Sequence, residues 1–356
     1  MKVKQFSSIL LAMALAGATA LSGCGGSSAP ASSAAPASSA APAASSEAAP
    51  AESTPAADGD KITIGYAPTT MNNPFWLAVL DGVKSVTDSM DNVEIVTIDC
   101  QNDQSRMNDQ IGDLLASGEK HDGRAPDDAL LVAPMDSTGV KPALEACQRE
   151  GVPVINFDTP VTDVDLVESI IASNNYNAGV VVAKDMMEKL EKGSKVAVLH
   201  SPSGQACIDR AAGFYDTIGY KSDDPYFEVV QELDGKGDTG VSLPLAEDIL
   251  QGSPDLGAFF AVNDPSAMGC VQALQAHPEL QGVLVYGVDG NPDAKAMIEA
   301  GTMTGTGAQS PETIGSKSAE TALQVLKGET VEHDIVIDTF IINSDNVSQY
   351  GTDGWQ

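Results

Sequence analysis

The chain is poor in positive charge, in aromatic rings and in the motifs of catalysis. Its 356 residues carry 19 Lys and Arg against 50 Asp and Glu, a formal charge of -31. Such a surface repels phosphate backbones and anionic headgroups, so no nucleic acid is expected as a partner. There are four histidines, and no His-Glu-x-x-His, no Gly-x-Ser-x-Gly and no Gly-Lys-Ser/Thr phosphate loop. Gly305-Thr306-Gly307 is only a fragment of a glycine motif. No catalytic residue, no metal and no cofactor is therefore expected.

Cysteine is equally sparse. None of the five forms a Cys-x-x-Cys pair, which removes zinc-ribbon and dithiol chemistry. Cys100, Cys147, Cys207 and Cys270 read as buried free thiols, with disulfides left open for an exported chain. His200 and Cys207 make a poor dyad in a loop. Asp234-Gly235-Lys236-Gly237-Asp238 resembles the start of a calcium loop but lacks its later ligands, and reads as a solvated turn.

No apolar run is long enough to span a bilayer. The run from Ile9 to Leu21 follows Lys2 and Lys4 and reads as a secretory signal over residues 1–23. Leu21-Ser22-Gly23-Cys24 resembles the lipobox of bacterial lipoproteins, which implies cleavage before Cys24 and a lipid on its sulfur. Residues 24–60 add little but Ser, Ala and Pro, too polar and small to build a core. As a tether of about 3.1 Å per residue they reach roughly 100 Å. This predicts an extracytoplasmic protein anchored to the outer face of the cell membrane, in a cell of Gram-positive type.

The remaining residues suffice for two lobes. Strands are predicted at 62–67, 93–99, 129–133, 153–157, 167–172, 195–199, 226–233, 257–262 and 283–288, with helical patterns between them. Over 104–118, Met107, Ile111, Leu114 and Leu115 share one helical face. This alternation predicts an α/β fold of parallel sheets covered by helices. In such sheets ligands bind beyond the carboxyl ends of the strands. Asn73-Pro74, Asp264-Pro265, Asn291-Pro292 and Ser310-Pro311 place a capping side chain before proline at helix starts. In the first of these helices Phe75 and Trp76 occupy the opening turn, either as core or as a ligand platform, and Leu77, Leu80 and the stem of Lys84 are expected to face the sheet.

From Lys61 to about Asn343 the chain resembles the ribose-binding type of bacterial sugar-binding proteins, the type 1 periplasmic binding proteins that serve as solute receptors of ABC importers. The residues that carry the resemblance are Asn72-Asn73-Pro74-Phe75-Trp76 with Asp81-Gly82, Pro153-Val154-Ile155-Asn156-Phe157-Asp158, Ala172-Ser173-Asn174-Asn175, Arg210-Ala211-Ala212-Gly213-Phe214, Asn263-Asp264, Gly287-Val288-Asp289-Gly290 and Val325-Leu326-Lys327-Gly328-Glu329. It implies two Rossmann-like lobes, 61–173 plus 310–338 and 174–309 plus 339–356. The hinge would have three crossings, at Ser173-Asn174, Gln309-Ser310 and Asp338-Thr339. It further implies that a small neutral sugar or polyol is trapped between the lobes by closure and handed to an importer permease, by a monomer. By the same resemblance Asn73 bonds a hydroxyl, Phe75 and Trp76 cover the ring, Asp158 and Asp289 accept from hydroxyls, and Arg210, Asn263 and Gln309 complete the set.

Two positions depart from the ribose pattern. Ala133 stands where that pattern has Asn, and Thr159 follows Asp158 where it has Arg, so two donors are missing and ribose itself is disfavoured as the tightest ligand. A receptor for a sugar-like signal such as autoinducer-2 shares these features. A transcriptional regulator of the same architecture would need a basic helix-turn-helix in place of residues 1–57, and an extracellular enzyme would alter its sugar.

Overall fold

Each predicted apolar run becomes a strand whose ends fall within two residues of expectation, in a computed structural model that describes residues 61–116, 128–280 and 282–356. The signal segment, Cys24 and the tether lie outside the described residues. The first sheet holds β1 (Ile62–Ala67), β2 (Val93–Thr97), β3 (Ala129–Val132), β4 (Val154–Phe157), β5 (Ser169–Ser173) and β11 (Asp334–Ile337), in the order β11-β5-β4-β3-β1-β2 and parallel throughout. The second holds β6 (Lys195–His200), β7 (Glu228–Asp234), β8 (Leu256–Ala261), β9 (Leu284–Asp289), β10 (Gly305–Ala308) and β12 (Phe340–Asn343), in the order β12-β10-β9-β8-β6-β7. Only its edge strand β12 runs antiparallel.

The two sheets repeat one winding. In each, the first strand sits between the second and the third, which places a topological switch point at β1/β3 and at β6/β8. The central strands are buried on both faces and correspondingly rich in Val, Ile, Leu and Phe. Helices α1 (Pro74–Thr87), α2 (Gln104–Ala116), α3 (Lys141–Glu150) and α9 (Pro311–Leu326) cover the first sheet. The second is covered by α4 (Asn175–Lys189), α5 (Gln205–Ile218), α6 (Thr239–Gly252), α7 (Asp264–Ala276) and α8 (Pro292–Glu299).

The chain passes between the sheets after β5, after β10 and after β11. The first and third passages are bonded to each other: Asn174 N donates to Ile337 O at 2.7 Å, and Thr339 Oγ1 to Asn174 O at 2.9 Å. Asn174 also caps α4 through Asn177 N. Strands β11 and β12 were not anticipated. Ile335-Val336-Ile337 and Phe340-Ile341-Ile342 read as one apolar run in sequence, but Asp338 and Thr339 split it between two sheets, and β11 is a half-exposed edge.

Three local expectations need correction. Leu77 is 44% exposed and Lys84 points outward; Phe75, Trp76, Val79, Leu80 and Val83 form the buried face of α1. The cap of α7 is Asn263, which accepts from Ser266 N at 3.1 Å, and not Asp264. Asp264 is instead drawn inward by Thr306 Oγ1 at 2.7 Å and Asn291 N at 2.9 Å. Ser310 makes no side-chain cap, whereas Asn73 and Asn291 do cap α1 and α8.

Candidate functional site

A cavity of about 340 Å³ lies where the carboxyl ends of the two sheets face each other. That is at the small end of the ~300–1,000 Å³ typical of small-molecule sites. The loops after β1, β3 and β4 line it from one side, and those after β6, β7, β8 and β9 from the other.

The lining brings together Asn73, Phe75, Trp76, Asp158, Thr159, Arg210, Asn263, Asp289 and Gln309. The two rings are both core and wall. They meet edge to face at 5.0 Å, pack in the core of the first sheet, and still border the cavity. Asn73 Oδ1 is committed to Phe75 N at 2.9 Å, so the cap that starts α1 also fixes the rings. Ala133 is placed otherwise. It is fully buried in the core, and Pro134 and Met135 form the wall beyond it.

Arg210 is 4% exposed and tied in three directions: Nε to Asn175 Oδ1 at 2.8 Å, Nη1 to Val262 O at 2.9 Å and to Asp289 Oδ1 at 3.3 Å. Gln309 Nε2 reaches the same carboxylate oxygen at 2.8 Å. Asp158 and Asp289 stand at equivalent places, after β4 and β9, and both hold positive φ, 59° and 142°. Backbone strain of this kind costs about 1–3 kcal/mol and persists where surrounding structure enforces it.

The electrostatics are lopsided. Asp158, Asp264 and Asp289 are buried around one guanidinium. Burial raises Asp158 above the usual carboxylate range, and Arg210 and Thr159 only partly offset it. Burial pushes Asp264 up to about 6 and Asp289 up to about 8, against the pull of its bonds in the first case and of Arg210 in the second. Upward is the physically expected direction, since three acids share a single compensating charge. Thr159 Oγ1 donates to Asp158 Oδ2 at 2.9 Å, while Asp158 Oδ1 and Gln309 Oε1 are buried with no partner.

Cys207 also borders the cavity, but burial pushes its thiol up to about 11, so it is protonated and unreactive at neutral pH. Burial lowers the pKa of the His200 imidazole, and its Nδ1 has no partner. Among the described residues no group of three or more His, Cys, Asp and Glu is arranged to hold a metal, and no helix is long and apolar enough to cross a membrane.

Sequence reasoning missed two parts of the site. The turn Lys236-Gly237-Asp238 is not merely solvated: it forms part of the wall, held by Asn263 Nδ2 on Gly237 O at 3.0 Å. Its carboxylates are occupied by the backbone, Asp234 Oδ1 by Lys236 N and Asp238 Oδ1 by Val241 N. The signal available was the glycine, which holds a φ of +66°. The second is the mouth. Ser137, in the loop after β3, donates from its N to Ser203 O at 3.3 Å and accepts Gln205 N on its Oγ at 3.0 Å. These bonds join loops of opposite sheets. A hydroxyl deletion, Ser137→Ala, removes one bond worth about 0.5–1.5 kcal/mol, a roughly two- to tenfold shift toward an open form. Small-angle scattering of the ligand-free variant is expected to show a larger radius of gyration; an unchanged value would mean that the mouth bonds do not hold closure.

With this geometry in hand, known proteins give a consistent picture. The family model described as periplasmic binding protein domain matches residues 64–330. The ribose import binding protein of Bacillus subtilis (strain 168) is 34% identical over 289 residues, covering 80% of this chain and 89% of its own. The D-allose-binding periplasmic protein of Escherichia coli (strain K12) is 27% identical over 290 residues, covering 79% and 90%. An ABC transporter solute binding protein from Mycobacterium smegmatis, solved with bound glycerol, superposes with a TM-score of 0.74 at 26% identity, over 83% of this chain and 98% of that one.

Proposed function

The chain belongs to the periplasmic binding protein family, and on that premise we propose that it is the solute receptor of an ABC importer, capturing a sugar or related polyol between its two lobes and releasing it unchanged. The observation that carries this reading is a pair of buried, unpartnered acceptors, Asp158 Oδ1 and Gln309 Oε1, in a cavity walled by Phe75 and Trp76. A pyranose or cyclitol offers hydroxyl donors for the acceptors and C–H faces for the rings. Asn73, Arg210, Asn263 and Asp289 would supply the remaining bonds. Closure would turn about the three passages between the sheets, at Ser173-Asn174, Gln309-Ser310 and Asp338-Thr339, within lobes bounded as the sequence suggests. The permease is the second partner, the receptor acts as a monomer, and Cys24 anchors it to the membrane. Replacing Cys24 by Ala is expected to release the protein from the membrane fraction or leave it unprocessed; normal cleavage with full retention contradicts the anchor.

Thr159 bears on ligand choice. Its hydroxyl is spent on Asp158, and the nearby Arg210 pairs with Asp289 rather than with that carboxylate. A ribose hydroxyl left unpaired there costs about 1–3 kcal/mol, one to two powers of ten in affinity. A thermal-shift panel of pentoses, hexoses, deoxysugars and cyclitols, followed by calorimetry, tests the proposal. A hexose, deoxysugar or cyclitol is expected to bind most tightly and to compact the protein in scattering. A panel with no stabilising member counts against the sugar reading, and ribose ahead by tenfold counts against the role given to Thr159.

A further inference from the structure

The last residues of the chain do not end at the surface of their own sheet. After β12 and the turn at Val347–Gln349, the tail runs through Gly351 to Gly354-Trp355-Gln356. Three contacts fix it. Lys295 on α8, whose residue has no exposed surface, donates from Nζ to Gly354 O at 2.7 Å. A buried ammonium needs such an acceptor, and burial pulls its pKa down. Trp355, half-buried, then crosses to the first sheet, packing against its core with its ring edge to face on Phe75 at 5.6 Å and 79°. Gln356 Nε2 donates to Asp289 O at 3.2 Å and also to Gln309 O.

Those contacts converge on the cavity wall from behind. Phe75, Asp289 and Gln309 line the cavity; Trp355 and Gln356 do not. Asp289 and Gln309 are already coupled to each other, Gln309 N to Asp289 O at 2.9 Å and Gln309 Nε2 to Asp289 Oδ1 at 2.8 Å. Gln356 closes this unit by holding both carbonyls. Room for it exists because Gly290, at φ +77°, lacks the Cβ that would collide with Gln356 Nε2. The tail is thus rooted in the second sheet's layer, at Lys295, lays Trp355 against the ring platform of the first, and brings Gln356 back to Asp289 and Gln309.

We propose that Trp355 and Gln356 are positioning residues: a C-terminal strap that holds the Phe75 ring and the Asp289–Gln309 unit in register across the two lobes, so that the site is preorganised for its ligand. The strap follows from the contacts alone, and only its effect on affinity rests on the sugar reading. Preorganisation of this kind raises affinity by removing ordering costs at binding.

The test uses the full mature chain with Trp355→Ala, Trp355→Phe and Gln356→Ala. In hydrogen exchange of the ligand-free proteins, Trp355→Ala and Gln356→Ala are expected to speed exchange about tenfold or more at amides of Phe75–Val79 and at Gly290 and Gln309, with Trp355→Phe near wild type. Protection lost only in the tail and α8 would overturn the strap, making the contacts a local anchor. In calorimetry with whichever of D-allose, D-ribose and myo-inositol most raises the wild-type Tm, Trp355→Ala is expected to weaken binding at least tenfold, chiefly through faster dissociation, and Trp355→Phe to recover most of it. Unchanged affinity in both alanine variants would also overturn it. Should none of the three sugars bind wild type, the sugar reading fails while the exchange result still decides the strap. Trp355→Phe serves as the mild variant if Trp355→Ala does not fold.

Discussion

Replacing Arg210 by Ala is expected to weaken sugar binding by about ten- to a hundredfold and to lower the stability of the ligand-free protein together. Among the described residues the guanidinium is the only cation within ion-pair distance of Asp289, and its Nε and Nη1 also satisfy Asn175 and Val262. Removing one member of a buried pair costs about 3–5 kcal/mol, because the other charge is left in a poor solvent. The lower end applies here, since Gln309 also bonds Asp289 and burial already raises that carboxyl, so it can take up a proton. On the binding side, a lost bond from a charged donor adds about 1.5–3 kcal/mol. Arg210→Lys keeps the charge but cannot reproduce the Nε and Nη1 directions, and should recover only part of either effect. Denaturant titration and calorimetry check both. Wild-type stability and affinity in Arg210→Ala would remove it from the site. Adding Asp289→Asn to Arg210→Ala should restore some stability and no binding, which separates the two roles.

The second large effect is expected at a residue outside the cavity lining, Gly179. Helices α4 and α5 cross with their backbones touching. A Cβ at Gly179 would lie 2.7 Å from Phe214 N and 2.9 Å from the carbonyl carbon of Arg210, and closer still to Arg210 O. Two effects oppose each other in Gly179→Ala. Helix propensity favours Ala by about 1 kcal/mol. Overpacking costs typically ~1–3 kcal/mol, and more where the obstacle is backbone that cannot change rotamer. Sterics should win: a lowered Tm for Ala, and little soluble protein for Val. Because α5 carries Arg210, pushing the helices apart also displaces the guanidinium, so sugar affinity should fall with stability. A stabilised Gly179→Ala would mean that the crossing relaxes freely and that propensity decides.

The helix starts show what a sequence can and cannot specify. Asn73-Pro74 and Asn291-Pro292 were legible as caps because the pattern is local: an amide oxygen within reach of the next turn and a proline that has no N–H to satisfy. The same reasoning failed at Asp264, where distant Thr306 and Asn291 compete for the carboxylate, and at Ser310, which lies in a passage between the sheets and makes no side-chain cap. Ala133 shows the same limit. Its position before Pro134-Met135 was visible, but whether it faces core or cavity depends on where β3 ends against its neighbours.

By itself the sequence determined the alternation of strands and helices and the parallel sheets, because periodicity is a property of neighbouring residues; the cavity side chains from Asn73 to Gln309 were legible only through the resemblance to ribose-binding-type proteins. The tertiary structure decided the rest. It divided one apolar run between β11 and β12, brought Ser137 to Gln205 across the mouth, and carried Trp355 and Gln356 back to Phe75 and Asp289. These contacts join residues far apart in the chain. They exist only because two sheets, once folded, turn their carboxyl ends toward each other.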